Sequence, residues 1–362
     1  MAALICPNQQ ENIEIEKNDA GVSSAIEHIH GRPGSDCGHE EIAHVFQQQE
    51  ILHPLDIFDV SLPTPVTNPM KEDRNVLVVR HGERVDFTFK KSGTNWLRKA
   101  FDSTGRYKPY DINLPRHLPK REGGQRAFEH DTPLTEIGYL QSKLTGRAIK
   151  EAGIKIDYVF CSPALRCVQT AVGLLKGLGL DGKIRLNVEP GLFEWLVWLK
   201  HVPKWMTPEE LKHNGYPVNP NYETIFSEDH LNANENLPEY YERSHKVMRE
   251  VLKKCPLGNV MVVAHGASLD TCTRQLTGGM PRMSDEFYYL LQNTPYLAST
   301  QIVEKYDGSF QHATNSIQTL THGDNYPYDA QELQASNAVI RENAAKFRAS
   351  KSLGTVGSHT QV

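Results

Sequence analysis

The sequence predicts an α/β fold: a doubly wound, mostly parallel sheet with helices on both faces. Three observations carry this. Apolar runs rich in valine and isoleucine recur at 75–80, 156–162, 183–190 and 259–266, and helical patterns fill the spaces at 135–152, 163–177 and 239–254. The runs are continuous, not alternating, as strands covered by helices on both faces require.

Residues 1–73 precede this rhythm and are expected to form an acidic, largely disordered extension, since "CPNQQENIEIEKNDAGVSS" is dominated by Gln, Glu, Asn and small residues. "ILHPLDIFDVSLPTPVTNP" is more apolar and proline-punctuated, which suits either an extended segment on the body or a short partner-binding motif. His28, His30, Cys37, His39 and His44 lie close in sequence, but "HEEIAH" spaces its histidines by five, off one helical face. A solvated tail is therefore expected there, and no metal site.

Charge and composition exclude several classes. Residues 1–74 hold 4 Lys+Arg against 13 Asp+Glu, a net of -9; the whole chain carries -5, so the remainder carries +4. That balance admits an anionic substrate but falls short of the dense basic patches of a nucleic-acid binder. No apolar run approaches the roughly 20 residues of a membrane span. Cys6, Cys37, Cys161, Cys167, Cys255 and Cys272 form no paired framework, and no secretory leader opens the chain, so a reducing, cytoplasmic setting is expected.

Each strand end then offers a chemical group, and parallel α/β sheets bind ligands at those ends. The first strand runs "NVLVVRHGERVD" and ends in Arg80, His81 and Arg84. The second ends in "CSPALRC", where Ser162 reads as an N-cap, Pro163 as the first helical residue, and Arg166 as one turn in. The third leads into "GLFEW" with Glu194, and the fourth ends in "AHGAS" with His265. Alone, His265 reads as a structural histidine, Arg166 as a surface helix residue and Glu194 as a solvated carboxylate; their convergence on one sheet edge changes that reading.

Two histidines, three arginines and a carboxylate suit phosphoryl transfer. Neutral imidazole is nucleophilic near neutral pH, which makes His81 the candidate nucleophile. Arg80, Arg84 and Arg166 can grip phosphoryl oxygens in bidentate fashion, with His265 as a further donor. Glu194, between Phe193 and Trp195, is expected in apolar surroundings that suit a general acid. The chemistry needs no metal and no cofactor.

The stretches "RHGER", "DTPLTEIGYLQS", "CSPALRCVQTA", "GLFEW" and "VVAHGASL" resemble the histidine phosphatase superfamily in its phosphoglycerate-mutase-like branch. "WLRKAFDSTGRYKPYDINLPRHLPKREGG", "TPYLAST" and "LTHG" narrow the likeness to the phosphatase domains of TULA/Sts proteins and of insect ecdysteroid-phosphate phosphatases. The resemblance implies a phosphatase domain over 74–330, with His81 as the phosphorylated nucleophile, Glu194 as proton donor, and Arg80, Arg84, Arg166 and His265 as the phosphate pocket. It also implies a homodimer as a candidate assembly. The short acidic extension leaves no room for the additional domains of TULA/Sts proteins, so their adaptor functions are not expected.

Phe193, Trp195, Trp198 and Trp205 are candidates for an aromatic rim, with core packing as the competing reading. Such a rim favours phosphotyrosine-like or steroid-phosphate substrates over phosphoglycerate, and mutase activity is disfavoured because Glu194 sits in "LFEW" without the basic surroundings a bisphosphorylated ligand needs. The alternative class is a catalytically weak relative that binds phosphorylated ligands as a scaffold. After residue 330, "DAQELQASNAVIRENAAKFRAS" reads as one polar helix followed by a tail, over 331–362.

Overall fold

The computed structural model describes residues 72–314, apart from 91, 92 and 94, together with 317 and 318. All of them lie within the second of two contact units, Val66–Val362. The N-terminal extension, its histidine cluster and the helix expected after residue 330 lie outside the described residues.

The chain enters β1 (Arg74–Arg80) directly and continues through α1 (Val85–Lys90), α2 (Trp96–Ala100) and α3 (Glu136–Glu151) to β2 (Tyr158–Cys161). Next come α4 (Leu165–Leu178), β3 (Leu186–Val188), α5 (Pro208–His213), α6 (Leu237–Lys254) and β4 (Val260–Ala264). The short α7 (Ser268–Thr271), α8 (Ser284–Gln292), β5 (Ser299–Glu304) and β6 (Phe310–His312) complete the order. Local chemistry sets several boundaries. Thr135 caps α3 by accepting the Gly138 N–H at 2.9 Å, and reciprocal capping boxes of Thr207 with Glu210 and Asn236 with Glu239 start α5 and α6.

The six strands form one sheet in the order β3-β2-β4-β1-β5-β6. β1 pairs parallel with β4, and β2 parallel with both β3 and β4, whereas β5 and β6 run antiparallel. The sheet is thus mixed, with a parallel half as expected and an antiparallel edge that the apolar runs did not reveal. β5 escaped because it begins with the polar residues Ser299, Thr300 and Gln301.

The continuous apolar runs divide between two cores through the two-residue alternation of a strand. Leu77, Val79, Val159, Met261 and Val263 pack with Ile149 of α3 and with Val168 and Leu175 of α4. Val76, Val78, Phe160, Val260 and Val262 pack on the other face with Val247, Met248 and Val251 of α6. Helices therefore cover both faces. The order places β1 beside β4 at the sheet's centre, and Arg80 is the partner of Ala264. The next residues on each strand, His81 and His265, consequently leave the sheet side by side.

Candidate active site

His81 is buried, and its backbone N–H donates to the Ala264 carbonyl at 2.9 Å. Its Nδ1 lies 2.8 Å from the Gly82 carbonyl oxygen. A carbonyl can only accept, so Nδ1 carries the proton and Nε2 presents its lone pair. Gly82 is required at this turn because a Cβ there would sit 2.9 Å from the Gly138 carbonyl oxygen of α3. Burial, followed by the charges of Arg166, Arg80, His265 and Arg84, lowers the His81 pKa well below the ordinary imidazole value. The ring is therefore held neutral.

His265 lies 5.5 Å from His81, ring centre to ring centre, and is fully buried. Arg166 Nη2 donates to its Nδ1 at 3.3 Å, which leaves the proton on Nε2, where it is donated to Ser162 Oγ at 2.8 Å. Burial and then Arg166, Arg84 and Arg80 lower the pKa of this ring too. In this arrangement the one N–H of His265 is spent on Ser162.

The arginines differ in how they are held. Arg80, fully buried, donates from Nη1 to the Thr294 carbonyl, and its guanidinium carbon lies 4.4 Å from the Tyr296 ring centre. Arg84 donates from Nε and Nη2 to the two carboxylate oxygens of Asp86 at 2.6 and 2.8 Å. Burial works against the Arg84 charge, but Asp86 and then Glu194 outweigh it and raise the pKa. Arg166, 1% exposed, donates from Nη2 to Glu194 Oε1 at 2.6 Å, while its Nε and Nη1 are buried without a hydrogen-bond partner. Buried donors are almost always paired, so two orphaned guanidinium nitrogens are what an oxyanion site would show.

The structure brings all six sequence-chosen residues together, with two corrections to their surroundings. Glu194 does not sit among apolar groups: its carboxylate meets Arg166 and lies 3.7 Å from His265 Nδ1. Ser162 does not cap α4. Ala164 takes that position without a side-chain bond, and Asp131 Oδ1 accepts the Leu165 N–H at 2.7 Å in place of the serine. Freed from capping, Ser162 holds His265.

The aromatic rim is corrected as well. Phe193, Trp195 and Trp205 are all buried, and only Trp198 is partly exposed. Phe193 packs against His265 at 5.2 Å and Trp205 at 4.7 Å between ring centres, and Trp195 belongs to a cluster with Tyr240 and Phe287. These side chains build the wall behind the site.

Sequence reasoning missed Asp86, the Ser162 contact and Tyr296. Tyr296, whose hydroxyl pKa burial pushes up to about 12, lies 5.7 Å from His81. Among the described residues no three His, Cys, Asp or Glu side chains gather as a metal site would need, and no helix is long and apolar enough to cross a membrane.

Comparison with known proteins identifies the family of the chain. The Drosophila melanogaster ecdysteroid-phosphate phosphatase is 40% identical over 268 residues, 73% of this chain and 35% of that protein. The Homo sapiens ubiquitin-associated and SH3 domain-containing protein B is 39% identical over 262 residues, 71% of this chain and 40% of that protein. The chain thus spans less than half the length of either relative. The crystal structure of the Bombix mori ecdysone phosphate phosphatase, EPPase, in complex with tungstate superposes with a TM-score of 0.60 at 32% identity, covering 72% of this chain and 99% of that one. The model of the histidine phosphatase superfamily (branch 1) matches residues 118–313, which include Arg166, Glu194 and His265 and follow Arg80, His81 and Arg84. With more than half of its length matched, the chain belongs to the histidine phosphatase superfamily, branch 1.

Proposed function

We propose that the chain is a metal-independent phosphomonoesterase that works through a phosphohistidine on His81. The observation that carries the reading is the pairing of a buried neutral imidazole, its Nε2 lone pair free of the Gly82 bond, with the two orphaned N–H donors of Arg166. His81 Nε2 attacks the phosphorus, the ester oxygen leaves on the opposite side, and a proton from the Glu194 carboxyl neutralises it. Arg80, Arg84 and Arg166 form the pocket for the phosphoryl oxygens and stabilise the charge spread over them, and His265, held between Ser162 and Arg166, backs that pocket. A phosphoryl dianion competes with Glu194 for Arg166, which frees the carboxyl to face the leaving oxygen. In the second half-reaction Glu194 takes a proton from water, the oxygen attacks the phosphohistidine, and inorganic phosphate departs with His81 neutral again.

Phosphate monoesters of aryl or steroid alcohols, phosphotyrosine-like or ecdysteroid-like, are the substrate class we favour. The names of the insect relatives support the steroid member. Burial of Phe193, Trp195 and Trp205 withdraws the aromatic-rim argument, so the preference rests on those relatives.

The test is hydrolysis of p-nitrophenyl phosphate in EDTA by the chain and by His81→Ala, with acid-labile phosphate on the protein measured in parallel. Turnover that resists EDTA and vanishes with the histidine supports the reading. Phosphate binding without turnover in the parent chain would replace it with the scaffold alternative.

A further inference from the structure

Arg243 lies on α6, apart from the six residues assigned to phosphoryl chemistry, and is 5% exposed. One edge of its guanidinium is gripped by Glu235, with Nε donating to Oε2 at 2.9 Å and Nη2 to Oε1 at 2.5 Å. The rest of the fork is spent on the turn that carries Glu194. Nη1 donates to the carbonyls of Gly191 at 2.6 Å and Phe193 at 3.0 Å, and Nη2 reaches the Glu194 carbonyl at 3.4 Å. The Glu235 carbonyl in turn accepts the Trp195 indole N–H at 2.8 Å. Residues 191–195 are therefore tied at four points to one buried ion pair.

Leu192, Phe193 and Trp195 anchor that turn by packing, but its backbone has few partners of its own. It opens with a single 3₁₀ turn, Pro190–Leu192, and its carbonyls have no strand to pair with. On its other side the fully buried Glu189 accepts N–H groups from Gly191, Ile225 and Phe226 and the Tyr222 hydroxyl. Gly191 allows the close approach to α6, because a Cβ there would lie 2.5 Å from Val247 Cγ2. The Glu194 carboxylate has to reach Arg166 and His265 from the end of this turn, so its position follows from the carbonyls that Arg243 holds.

We propose that Arg243, fixed by Glu235, is a positioning residue that sets where Glu194 gives and takes its proton. It acts through Glu194 and touches no substrate, and the proposal rests on the acid-base role given to Glu194 above. Only a planar fork can hold Glu235 on one edge and reach three carbonyls with the rest; a lysine keeps the charge but supplies one point of donation. The geometry therefore separates positioning from a mere field effect, since Arg243→Lys preserves the second and destroys the first.

The experiment compares kcat/KM, which reports steps through phosphorylation of His81, for p-nitrophenyl phosphate and for an alkyl phosphate. Arg243→Lys is expected to stay within about 3-fold of the parent on the activated ester and to lose about 10- to 100-fold on the alkyl ester, which depends on a placed acid. Added to Glu194→Gln, it is expected to cost less than about 2-fold on the alkyl ester, because two residues acting through one proton do not add. Equal losses on both esters, or losses that multiply in the double variant, would overturn the proposal and leave Arg243 a structural ion pair. Should Arg243→Lys fail to fold by circular dichroism, Glu235→Gln enters the same two comparisons, with the same outcomes deciding. Acid-labile phosphate on His81 in the parent chain is the control: its absence overturns the phosphohistidine reading on which the role of Glu194 rests, whereas its presence with multiplying losses overturns only the role of Arg243.

Discussion

Holding two imidazoles neutral inside a ring of arginines should make folding stability fall steeply toward acid. Both His81 and His265 have pKa values lowered by burial first and by Arg166 and the other arginines second. An unfolded histidine titrates near about 6.5. Below that value the unfolded chain binds protons that the folded chain refuses, so stability is present in full above the unfolded pKa and is lost as pH drops through it, until the lowered folded values are reached. Each such ring costs up to about 1.4 kcal/mol per pH unit, and the pair up to about 2.7 kcal/mol per unit. Urea denaturation at several values between about pH 6.5 and about pH 5 would measure the slope. The comparison is His81→Asn with His265→Gln, which keep a donor toward Gly82 and toward Ser162 while removing both titrations. Whatever these substitutions do to absolute stability, and whatever His245 contributes in both proteins, the slope of the variant should be shallower by up to that amount. Slopes agreeing within about 0.5 kcal/mol per unit would refute the neutral-pair reasoning.

Three further outcomes are expected. Glu194→Gln should lower kcat/KM for esters with poor leaving groups by about 100-fold and far less for p-nitrophenyl phosphate; equal losses would count against an acid role. Inorganic phosphate or tungstate at about 100 times its dissociation constant should stabilise the parent chain by about 2.7 kcal/mol, a melting shift of about 5–10 °C, and Arg166→Met should abolish the shift. A variant that kept it would show that the orphaned Arg166 donors are not the oxyanion site. Gly191→Ala should cost about 1–3 kcal/mol in urea through the contact with Val247, and an unchanged midpoint would mean that the turn can move away from α6.

The strand-end residues were legible because they follow from a rule of connectivity. A continuous Val/Leu run such as 75–80 must be covered on both faces, the resulting parallel sheet presents one edge to ligands, and whatever follows each run stands at that edge. His81 and His265 obey this, and so do Arg166 and Glu194. Ser162 shows where the reasoning stops. Its sequence position suits a cap, yet Asp131, a distant residue in the chain, supplies the acceptor that Leu165 needs, and the serine is left for His265. Trp195 shows the same limit: side chains of α6 and α8 such as Tyr240 and Phe287 gather around its ring, and no periodicity in "GLFEWLVW" encodes which way it turns. Arg243 was illegible altogether, since one of the two arginines on α6 gains its meaning from three carbonyls on another element.

By itself, then, the sequence determined the parallel half of the sheet, the residues that gather at one edge of it and the family to which the chain belongs, because continuous apolar runs, chain connectivity and short motifs are properties of neighbours along the chain. Tertiary structure alone decided the partner of each charge, the proton-bearing nitrogen of each imidazole, the antiparallel edge and the burial of the aromatic wall. Those depend on groups far apart in sequence that meet only when two faces of one sheet are packed at once.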